Sequence, residues 1–304
     1  WDLHTRNNGL FLLPPFVTQE NGGEYLGVLD ALRANVDYLR RSSQKLAILT
    51  NSNMVFNMNF EPMICQHEET DADITLLYTK VRPNMELSSA GKHTHAFLEV
   101  DKDGRVTDME VNPNAASYDN MYMNVLLIKR TLLIHLVDGA TAHGAHDINR
   151  ELLQPAVKSG SLKVYAYEFK GYYRRIETIK SYFRCNMDLL DYNVRRELFK
   201  AAPVYTKTRN DVPAIYREGN SVQNSLVADG CVIEGSVENC VLFRGVHIGR
   251  GASVKNAIIM QDSVVEDSVE LENVILDKNV TIRAHGRLIG QVQYPIVIGK
   301  NVTL

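Results

Sequence analysis

Apolar positions in the first part of the chain follow a helical repeat and then a short continuous run. Val28, Leu32, Val36 and Leu39 recur at helical spacing and would line one face of a helix. Residues 46–50 form a short apolar run of the kind that builds a buried strand. This order predicts a helix that leads into a buried strand.

The same two patterns alternate as far as about residue 200. Further strands are predicted at 74–79, 96–100, 123–128 and 162–169, and further helices at 131–137, 148–157 and 176–190. Strands that alternate with helices indicate an α/β layer fold with a largely parallel sheet.

The last third of the chain carries an internal repeat. Apolar segments led by Asn recur 15, 17 and 17 residues apart, and a second series led by Gly, Asp or Asn keeps the same spacing. The first series begins at Asn224, Asn239, Asn256 and Asn273, and the second at Gly230, Gly245, Asp262 and Asn279. A third series contains Val237, Val254 and Leu271. Three short apolar segments per repeat are typical of a three-sided coil with stacked inward aliphatic side chains. The repeat therefore predicts a parallel β-helix, with residues 295–304 in one more coil.

Length and the change of pattern predict two domains. A chain of 304 residues favours about two domains. The helical period disappears beyond about Ala202, where Pro203 and Pro213 bracket a polar segment. We therefore expect an α/β domain over 1–202, a connector over 203–223 and a β-helix domain over 224–304.

Composition and charge narrow the class of protein. The chain is 45% hydrophobic and 23% charged, which is the balance of a globular protein. Its net charge is -3 with a pI near 6.3, and it lacks the basic stripe of a nucleic-acid-binding protein. The best apolar run, at 123–128, stops at Lys129 and is too short to cross a bilayer. The 4 cysteines form no disulfide framework, so we expect a cytoplasmic protein. The charge pattern and the short apolar runs predict that it has neither nucleic-acid nor membrane partners.

Several short motifs fall in the order of one known family. Residues 12–14 read Leu-Leu-Pro and residues 25–31 read Tyr-Leu-Gly-Val-Leu-Asp-Ala. With an α/β domain followed by a hexapeptide-type β-helix, they resemble the ADP-glucose pyrophosphorylase (glucose-1-phosphate adenylyltransferase) family, which carries LLP and Y-x-G-T-A-D-A there. The resemblance implies a Rossmann-like (GT-A-like) nucleotidyltransferase domain and a left-handed β-helix. The family's opening strand and glycine-rich phosphate loop have no counterpart, and the chain begins at Trp1, so we expect that a natural N-terminal segment lies outside this sequence.

The chain departs from the family at both metal-binding aspartates. In active members the strand matching 47–53 ends in Gly-Asp, and the motif W-R-D-V-G-T supplies a second aspartate; both help to hold the magnesium that bridges the phosphates. Here Asn53 stands at the first position and Arg175 at the second. No Asp or Glu lies between Gln44 and Asn59, so a shifted alignment restores no carboxylate. An amide is a poorer ligand than a carboxylate for a hard dication, and arginine is itself a cation.

A third departure affects the sugar phosphate. The family's F-V-E-K-P motif, whose Glu and Lys contact glucose 1-phosphate, matches Met-Glu-Val-Asn-Pro at 109–113, so Val111 and Asn112 remove both groups. Nucleotidyl transfer depends on cations positioned around the phosphates. The three losses predict a chain that is non-catalytic on its own and holds neither a metal nor another cofactor, with Asn53, Asn112 and Arg175 as degenerate positions.

The family contains non-catalytic members of this kind. The chain resembles the regulatory partner subunit of glycogen synthesis in Gram-positive bacteria, which assembles with an active catalytic subunit. The resemblance implies a hetero-oligomer, expected to be a heterotetramer, in which Mg²⁺ belongs to the catalytic adenylyltransferase partner. It also suggests a vestigial pocket around Tyr25, Gly27 and Asp30 for a nucleotide or sugar phosphate effector.

Other interpretations of the whole chain stay open from sequence. One is an active adenylyltransferase that makes ADP-glucose and pyrophosphate from ATP and glucose 1-phosphate, with metal held by other residues. Another is a hexapeptide acyltransferase, with His247 or His285 as the catalytic histidine. Asn53 is also a common turn residue, and Arg175 is equally interpreted as a solvated helix-start residue or as a contact for a bound phosphate.

The remaining histidines and cysteines have competing interpretations as well. His93 with His95, and His143 with His146 and Asp147, are possible metal ligands, but their spacing is also that of loop-to-strand and helix-start residues. Cysteines 231 and 240 occupy interior-type repeat positions, which predicts small core residues.

Overall fold

The computed structural model describes residues 9–15, 24–82, 95–142, 144–206 and 210–304. Its internal contacts divide the chain into two compact units. The α/β unit contains Trp1–Ser52 and Met58–Lys170, and the solenoid unit contains Asn53–Asn57 and Gly171–Leu304. The short segment 53–57 therefore belongs with the C-terminal part of the chain, and so do residues 171–202, which the sequence analysis placed in the α/β domain.

The secondary structure is a mixed α/β arrangement followed by many short strands. The helices are α1 (Val28–Ala34), α2 (Val36–Arg41), α3 (Glu61–Glu69), α4 (Arg130–Ala142), α5 (Gln154–Ser159), which follows a π-helical turn at Asn149–Leu153, α6 (Ile179–Asp188) and α7 (Tyr192–Lys200). The strands that precede the C-terminal repeat are β1 (Leu46–Thr50), β2 (Met54–Val55), β3 (Ile74–Lys80), β4 (Ala96–Val100), β5 (Val106–Val111), β6 (Asn120–Lys129), β7 (Val164–Glu168) and β8 (Arg174–Arg175). The C-terminal strands are β9 (Ile215–Tyr216), β10 (Ser221–Gln223), β11 (Leu226–Val227), β12 (Val232–Ile233), β13 (Ser236–Glu238), β14 (Val241–Leu242), β15 (His247–Ile248), β16 (Ser253–Ile259), β17 (Val264–Val265), β18 (Glu270–Leu276), β19 (Thr281–Ile282), β20 (Arg287–Ile289) and β21 (Ile296–Ile298). In the part of the chain that the structure describes, none of these helices combines the length and the hydropathy needed to span a bilayer.

Most of the predicted elements of the α/β unit are confirmed. Strands β1 and β4 have the predicted bounds, and β3 and α4 extend the predicted segments. The helix predicted over 148–157 is divided into the π-helical turn and α5. In the α/β unit, α3 and β5 lie outside the predicted segments, as does α7 of the solenoid unit.

The prediction of a largely parallel sheet is wrong. The sheet has the order β5-β4-β6-β3-β7, with β1 also paired to β6, and in it only β3 and β7 pair in parallel among the strands described. A parallel pair needs a long crossover, whereas β4 and β5 are joined by a tight turn. In that turn Asp101 accepts hydrogen bonds from the N–H groups of Asp103 and Arg105, and Gly104 has φ 82°. Such a turn produces an antiparallel hairpin, and apolar runs alone do not reveal it.

The core of the α/β unit forms around the two central strands β3 and β6. Leu76, Met123 and Leu127 are completely or almost completely buried, and Leu133 and Val137 of α4 belong to the buried cluster that includes Leu76. Consecutive residues of β3 and β6 are buried, so both faces of these strands are covered. This explains why both read as continuous apolar runs.

A buried histidine lies at the edge of this core. His67 of α3 is 1% exposed, and its Nδ1 is 2.8 Å from the hydroxyl oxygen of Thr75. Its Nε2 is buried without a hydrogen-bond partner among the described residues. A charged imidazolium is therefore poorly accommodated here.

Replacing His67 with glutamine is expected to flatten the acid side of the stability profile. Burial lowers the pKa of His67, and Lys129 lowers it further, while Glu68, Asp73 and Asp71 oppose the shift. The unfolded chain, in which histidine has a pKa of about 6.5, binds the proton more readily. Stability is therefore fully present above that pH and falls as the pH drops through it. Thermal unfolding between about pH 7.5 and about pH 5 should show a steeper loss for the wild type than for His67→Gln; parallel curves would contradict this.

The C-terminal strands stack into a parallel β-solenoid, which confirms the predicted parallel β-helix. One sheet has the order β19-β17-β15-β12-β9, and the other strands stack in the same way around β16 and β18. Every pairing between these strands is parallel. Residues 295–304 join the stack as predicted, because β21 pairs with β18. The first coil begins earlier than expected: β9 and β10 lie in the predicted connector and pair in register with β12 and β13.

The two repeat series found in the sequence are corners of the solenoid. Positive φ angles are shared by both series: 40° at Asn224, 52° at Asn239, 45° at Asn256, 52° at Asn273, 77° at Gly230, 71° at Gly245, 58° at Asp262 and 56° at Asn279. Glycine adopts this left-handed conformation freely, and Asn and Asp adopt it more readily than other residues. The Asn224 amide also donates to the Asn239 side-chain oxygen at 2.7 Å. The spacing of corner residues thus follows from the size of each coil.

Candidate functional site

Arg175 lies in β8 of the solenoid unit, and Asn53 immediately precedes the neighbouring strand β2. Strands β2 and β8 pair in antiparallel fashion, with Met54 opposite Arg175. The N–H of Ile176 donates to the carbonyl oxygen of Asn53 at 2.8 Å. The structure therefore brings together two of the three degenerate positions that are far apart in sequence.

The side chain of Arg175 is buried in an ion pair. Its Nη2 lies 3.2 Å from Oε1 of Glu177, and the two side chains are only 6% and 4% exposed. The following helix begins later, because Thr178 is the N-cap of α6 and forms a capping box with Ser181. The interpretation of Arg175 as a solvated helix-start residue is thus wrong. The residue sits in an extended segment, where a carboxylate two positions further along neutralises it.

The amide of Asn53 is buried without hydrogen bonds. Neither its Nδ2 nor its Oδ1 has a partner among the described residues, and the same is true of the Tyr173 hydroxyl. Burial raises the pKa of Tyr173, so its phenol stays neutral. The Tyr173 ring packs edge-on against Phe56, with ring centroids 6.5 Å apart. Buried polar atoms without partners are rare and destabilising, so Asn53 and Tyr173 form an unusual polar cluster among the described residues.

These residues do not fit a magnesium ion. Mg²⁺ requires anionic or neutral oxygen ligands in a near-octahedral arrangement, and carboxylates are the usual protein donors. Here one position carries a neutral amide, and the other carries a cation whose charge is already balanced by Glu177. In the described part of the chain, no three His, Cys, Asp or Glu side chains stand together as a metal-binding group. The positions 53 and 175 are therefore a poor site for Mg²⁺.

Asn112 has a role in the backbone structure of the α/β unit. It is exposed and follows β5 with φ 49°. Its N–H donates to the carbonyl oxygen of His95 at 2.7 Å, and its side-chain oxygen accepts from the N–H of His95 at 2.7 Å. The amide thus closes the open end of the β4–β5 hairpin. It belongs to the other compact unit from Asn53 and Arg175.

Tyr25, Gly27 and Asp30 organise the entry into α1. The Tyr25 hydroxyl donates to the carbonyl oxygen of Leu13 at 3.2 Å and accepts from the Asn35 amide at 2.9 Å. The Asp30 carboxylate accepts from the N–H of Leu26 at 3.2 Å. These polar groups therefore serve local structure.

Gly27 is needed for a close approach of two backbone segments. A Cβ at this position would collide with the carbonyl oxygen of His146. The same oxygen accepts a hydrogen bond from the N–H of Leu29 at 3.3 Å. The glycine thus lets the start of α1 dock against the segment that precedes the π-helical turn.

Of the remaining candidate ligands, some have structural roles, His146 has a buried Nδ1 without a hydrogen-bond partner among the described residues, and others lie outside the described residues. His93 and His143 lie outside them. The Asp147 carboxylate accepts from the N–H groups of Asn149 and Arg150, as a helix-start residue does. In the solenoid, Nε2 of His247 is 3.4 Å from Oε2 of Glu234, and His285 is an exposed corner residue with φ 64°.

The two solenoid cysteines are core residues, as predicted. Cys231 and Cys240 are completely buried within the apolar interior of the coils. Burial raises the pKa of Cys240 to about 12. Thiols in this environment stay protonated and are not nucleophiles.

Sequence reasoning missed Glu177 and Tyr173. The available signal was local, since Arg175 and Glu177 carry opposite charges two positions apart, and side chains at i and i+2 of an extended segment lie on the same side. Their burial could not be read from the sequence, because it depends on packing by distant parts of the chain.

The comparisons with known proteins agree with this architecture. The family model described as Nucleotidyl transferase matches residues 8–192, and the model described as GlmU-like, C-terminal hexapeptide matches residues 212–293. The chain is 31% identical over 296 residues to a glucose-1-phosphate adenylyltransferase of Acetivibrio thermocellus, covering 95% of this chain and 67% of the relative. It is also 31% identical over 303 residues to the glycogen biosynthesis protein GlgD of Bacillus subtilis, covering 99% of this chain and 76% of that protein. A glucose-1-phosphate adenylyltransferase of Desulfitobacterium hafniense is 28% identical over 291 residues, which are 95% of this chain and 71% of the relative.

Proposed function

Because the chain belongs to the glucose-1-phosphate adenylyltransferase family, we propose that it is a non-catalytic subunit that modulates a catalytic adenylyltransferase in glycogen biosynthesis. The observation that carries this proposal is the buried Arg175–Glu177 ion pair beside the unpartnered amide of Asn53. A cation and an amide stand where the family resemblance implies two carboxylates for magnesium.

The buried ion pair opposes metal binding by two effects. A magnesium ion at this place would be repelled by the guanidinium. The repulsion would be strong because the buried surroundings screen charges poorly. Displacing Arg175 would break its ion pair with Glu177, and separating the partners of a buried pair costs several kcal/mol. The site therefore disfavours the ion on which phosphoryl and nucleotidyl transfer depend.

A partner follows from the same argument. A chain of this family without catalysis needs a catalytic adenylyltransferase subunit on which to act, and we propose a hetero-oligomer in the cytoplasm, with Mg²⁺ held by that subunit. The similarity to the glycogen biosynthesis protein GlgD of Bacillus subtilis supports a role in glycogen synthesis. Modulation requires that the chain bind the active and inactive states of its partner with different affinities.

The proposed role is tested by pyrophosphate release from ATP and glucose 1-phosphate with Mg²⁺. The catalytic adenylyltransferase encoded in the same organism is assayed alone and with increasing amounts of this protein. We expect the rate or the metabolite response of the partner to change and to saturate at a fixed subunit ratio. A rate that is the same with and without this protein, at concentrations where size-exclusion chromatography shows no complex, would refute the proposal.

A further inference from the structure

We propose that the solenoid holds segment 53–57, which carries the degenerate metal position, and that a change in the solenoid is transmitted to this segment through α6 and β8. This mechanical coupling lies inside the solenoid unit and does not depend on whether the chain is catalytic.

Segment 53–57 is fixed at both ends by residues of the solenoid unit. At its start, β2 pairs with β8, and the N–H of Ile176 donates to Asn53. At its end, the Asn57 amide donates to the carbonyl oxygens of Leu198 and Ala202, at 2.6 and 2.7 Å. Those carbonyls lie at the C-terminal end of α7, where backbone oxygens need partners from outside the helix. The segment thus acts as a cap for α7 and a strand for β8.

The next contacts join β8 to α6. Nε of Arg174 and the hydroxyl of Tyr172 both donate to Oδ2 of Asp188, the last residue of α6, at 2.8 Å each. At the other end of the helix, the Thr178 N-cap follows β8 directly. The strand that pairs with segment 53–57 is therefore clamped to both ends of α6.

Helix α6 in turn packs on the outside of the solenoid. Phe183 is 3% exposed and forms a cluster with Ile258 of β16 and Ile275 of β18, which are opposite each other in neighbouring coils. Their sequence neighbours Ala257 and Ile259 belong to the interior cluster of the solenoid, and side chains alternate along a strand. Ile258 and Ile275 thus point outward and are nevertheless buried, at 0% and 3% exposure, because α6 covers them.

These contacts form one chain of packing from the solenoid surface to Asn53. Local opening of a folded protein follows such cooperative units, and the free energy of opening is set by the contacts that the unit makes. Loosening α6 removes the support of β8, and loosening β8 removes the ladder of segment 53–57. Anything that binds to the solenoid and restricts α6 will therefore restrict segment 53–57 as well.

Hydrogen–deuterium exchange of the full chain tests the coupling. Phe183→Ala removes the ring that joins α6 to Ile258 and Ile275, and Phe97→Ala removes a phenyl ring of β4 that is 4% exposed in the α/β unit. We expect Phe183→Ala to accelerate exchange in peptides covering 53–57 and 172–188 by about tenfold or more, while peptides covering β3 and β6 keep their protection. Phe97→Ala is expected to accelerate exchange in β4 and β6 and to leave 53–57 unchanged.

Two results would overturn the inference. The first is that Phe183→Ala exposes α6 while 53–57 keeps its wild-type protection. The second is that Phe97→Ala accelerates exchange in 53–57 as much as Phe183→Ala does. If either alanine variant does not fold, the milder pair Phe183→Leu and Phe97→Leu decides the question by the same comparison.

Discussion

Alanine in place of Glu177 will destabilise the solenoid unit by about 3–5 kcal/mol. The Glu177 side chain is 4% exposed and neutralises Arg175, which is 6% exposed. Without the carboxylate, the buried guanidinium loses the opposite charge that lies 3.2 Å from its Nη2. Removing one partner of a buried ion pair costs far more than the net contribution of the pair itself, because the remaining charge has lost its solvation. Urea unfolding of the solenoid unit, followed by a probe in that unit, measures the change.

The control for this variant is an exposed ion pair in the same unit. Nζ of Lys255 lies 3.3 Å from Oε2 of Glu238, and the two side chains are 51% and 44% exposed. Glu238→Ala is expected to cost less than about 1 kcal/mol. The double variant Arg175→Met with Glu177→Leu removes both charges and should recover most of the lost stability. Equal effects of Glu177→Ala and Glu238→Ala would show that the pair at 175 and 177 is not buried as described.

Restoring carboxylates at the two degenerate positions will create a stabilising response to Mg²⁺. The double variant Asn53→Asp with Arg175→Asp places one new carboxylate just before β2 and one in β8, and it removes the Arg175 partner of Glu177. Three carboxylates that repel one another should lower the stability without metal, and a hard dication bound among them relieves the repulsion. A ligand that binds only the folded state stabilises it by about 2.7 kcal/mol at a concentration of 100 times its Kd. The melting temperature of the double variant is therefore expected to rise with Mg²⁺ concentration.

The wild type and the single variant Asn53→Asp serve as controls for the metal response. Both retain Arg175, so neither melting temperature should change with Mg²⁺ beyond the general effect of ionic strength, which NaCl at matched ionic strength measures. A wild-type protein that is stabilised by Mg²⁺ as strongly as the double variant would mean that other residues hold the metal.

The solenoid could be predicted from the sequence because the corner positions of its coils restrict which residues can stand there. Each coil must turn at fixed places, and the left-handed backbone there restricts the residue type, so the series at Asn224 and Gly230 recur in register. The pattern did not predict that the first coil begins at β9. This strand contains only Ile215 and Tyr216, which pair with β12. A two-residue strand has no period of its own.

In the α/β sheet, the positions of the central strands could be predicted from the sequence, but the direction in which they pair could not. Burial of β3 and β6 on both faces gave the correct strands, but the direction of pairing depends on the connections. The hairpin turn at Asp101 is fixed by side-chain-to-backbone hydrogen bonds that an apolar pattern does not report.

The candidate site was half predictable. The substitutions at Asn53 and Arg175 were visible through the family resemblance, and the structure places Asn53 just before β2 and Arg175 in β8, which pairs with β2. The sequence did not reveal that Glu177 neutralises Arg175 in a buried ion pair. The burial of this pair follows from the packing of residues 171–188 in the solenoid unit. Burial of that kind arises from contacts between residues far apart in sequence.

The proposal that this protein is non-catalytic on its own is tested most directly by measuring whether the complete gene product alone forms ADP-glucose. The intact protein, purified away from any catalytic subunit, is incubated with ATP, glucose 1-phosphate and Mg²⁺, and ADP-glucose and pyrophosphate are measured together. We expect no turnover above that of a protein-free control. Magnesium-dependent formation of both products in equal amounts would contradict it and would make the chain an active adenylyltransferase despite Asn53 and Arg175.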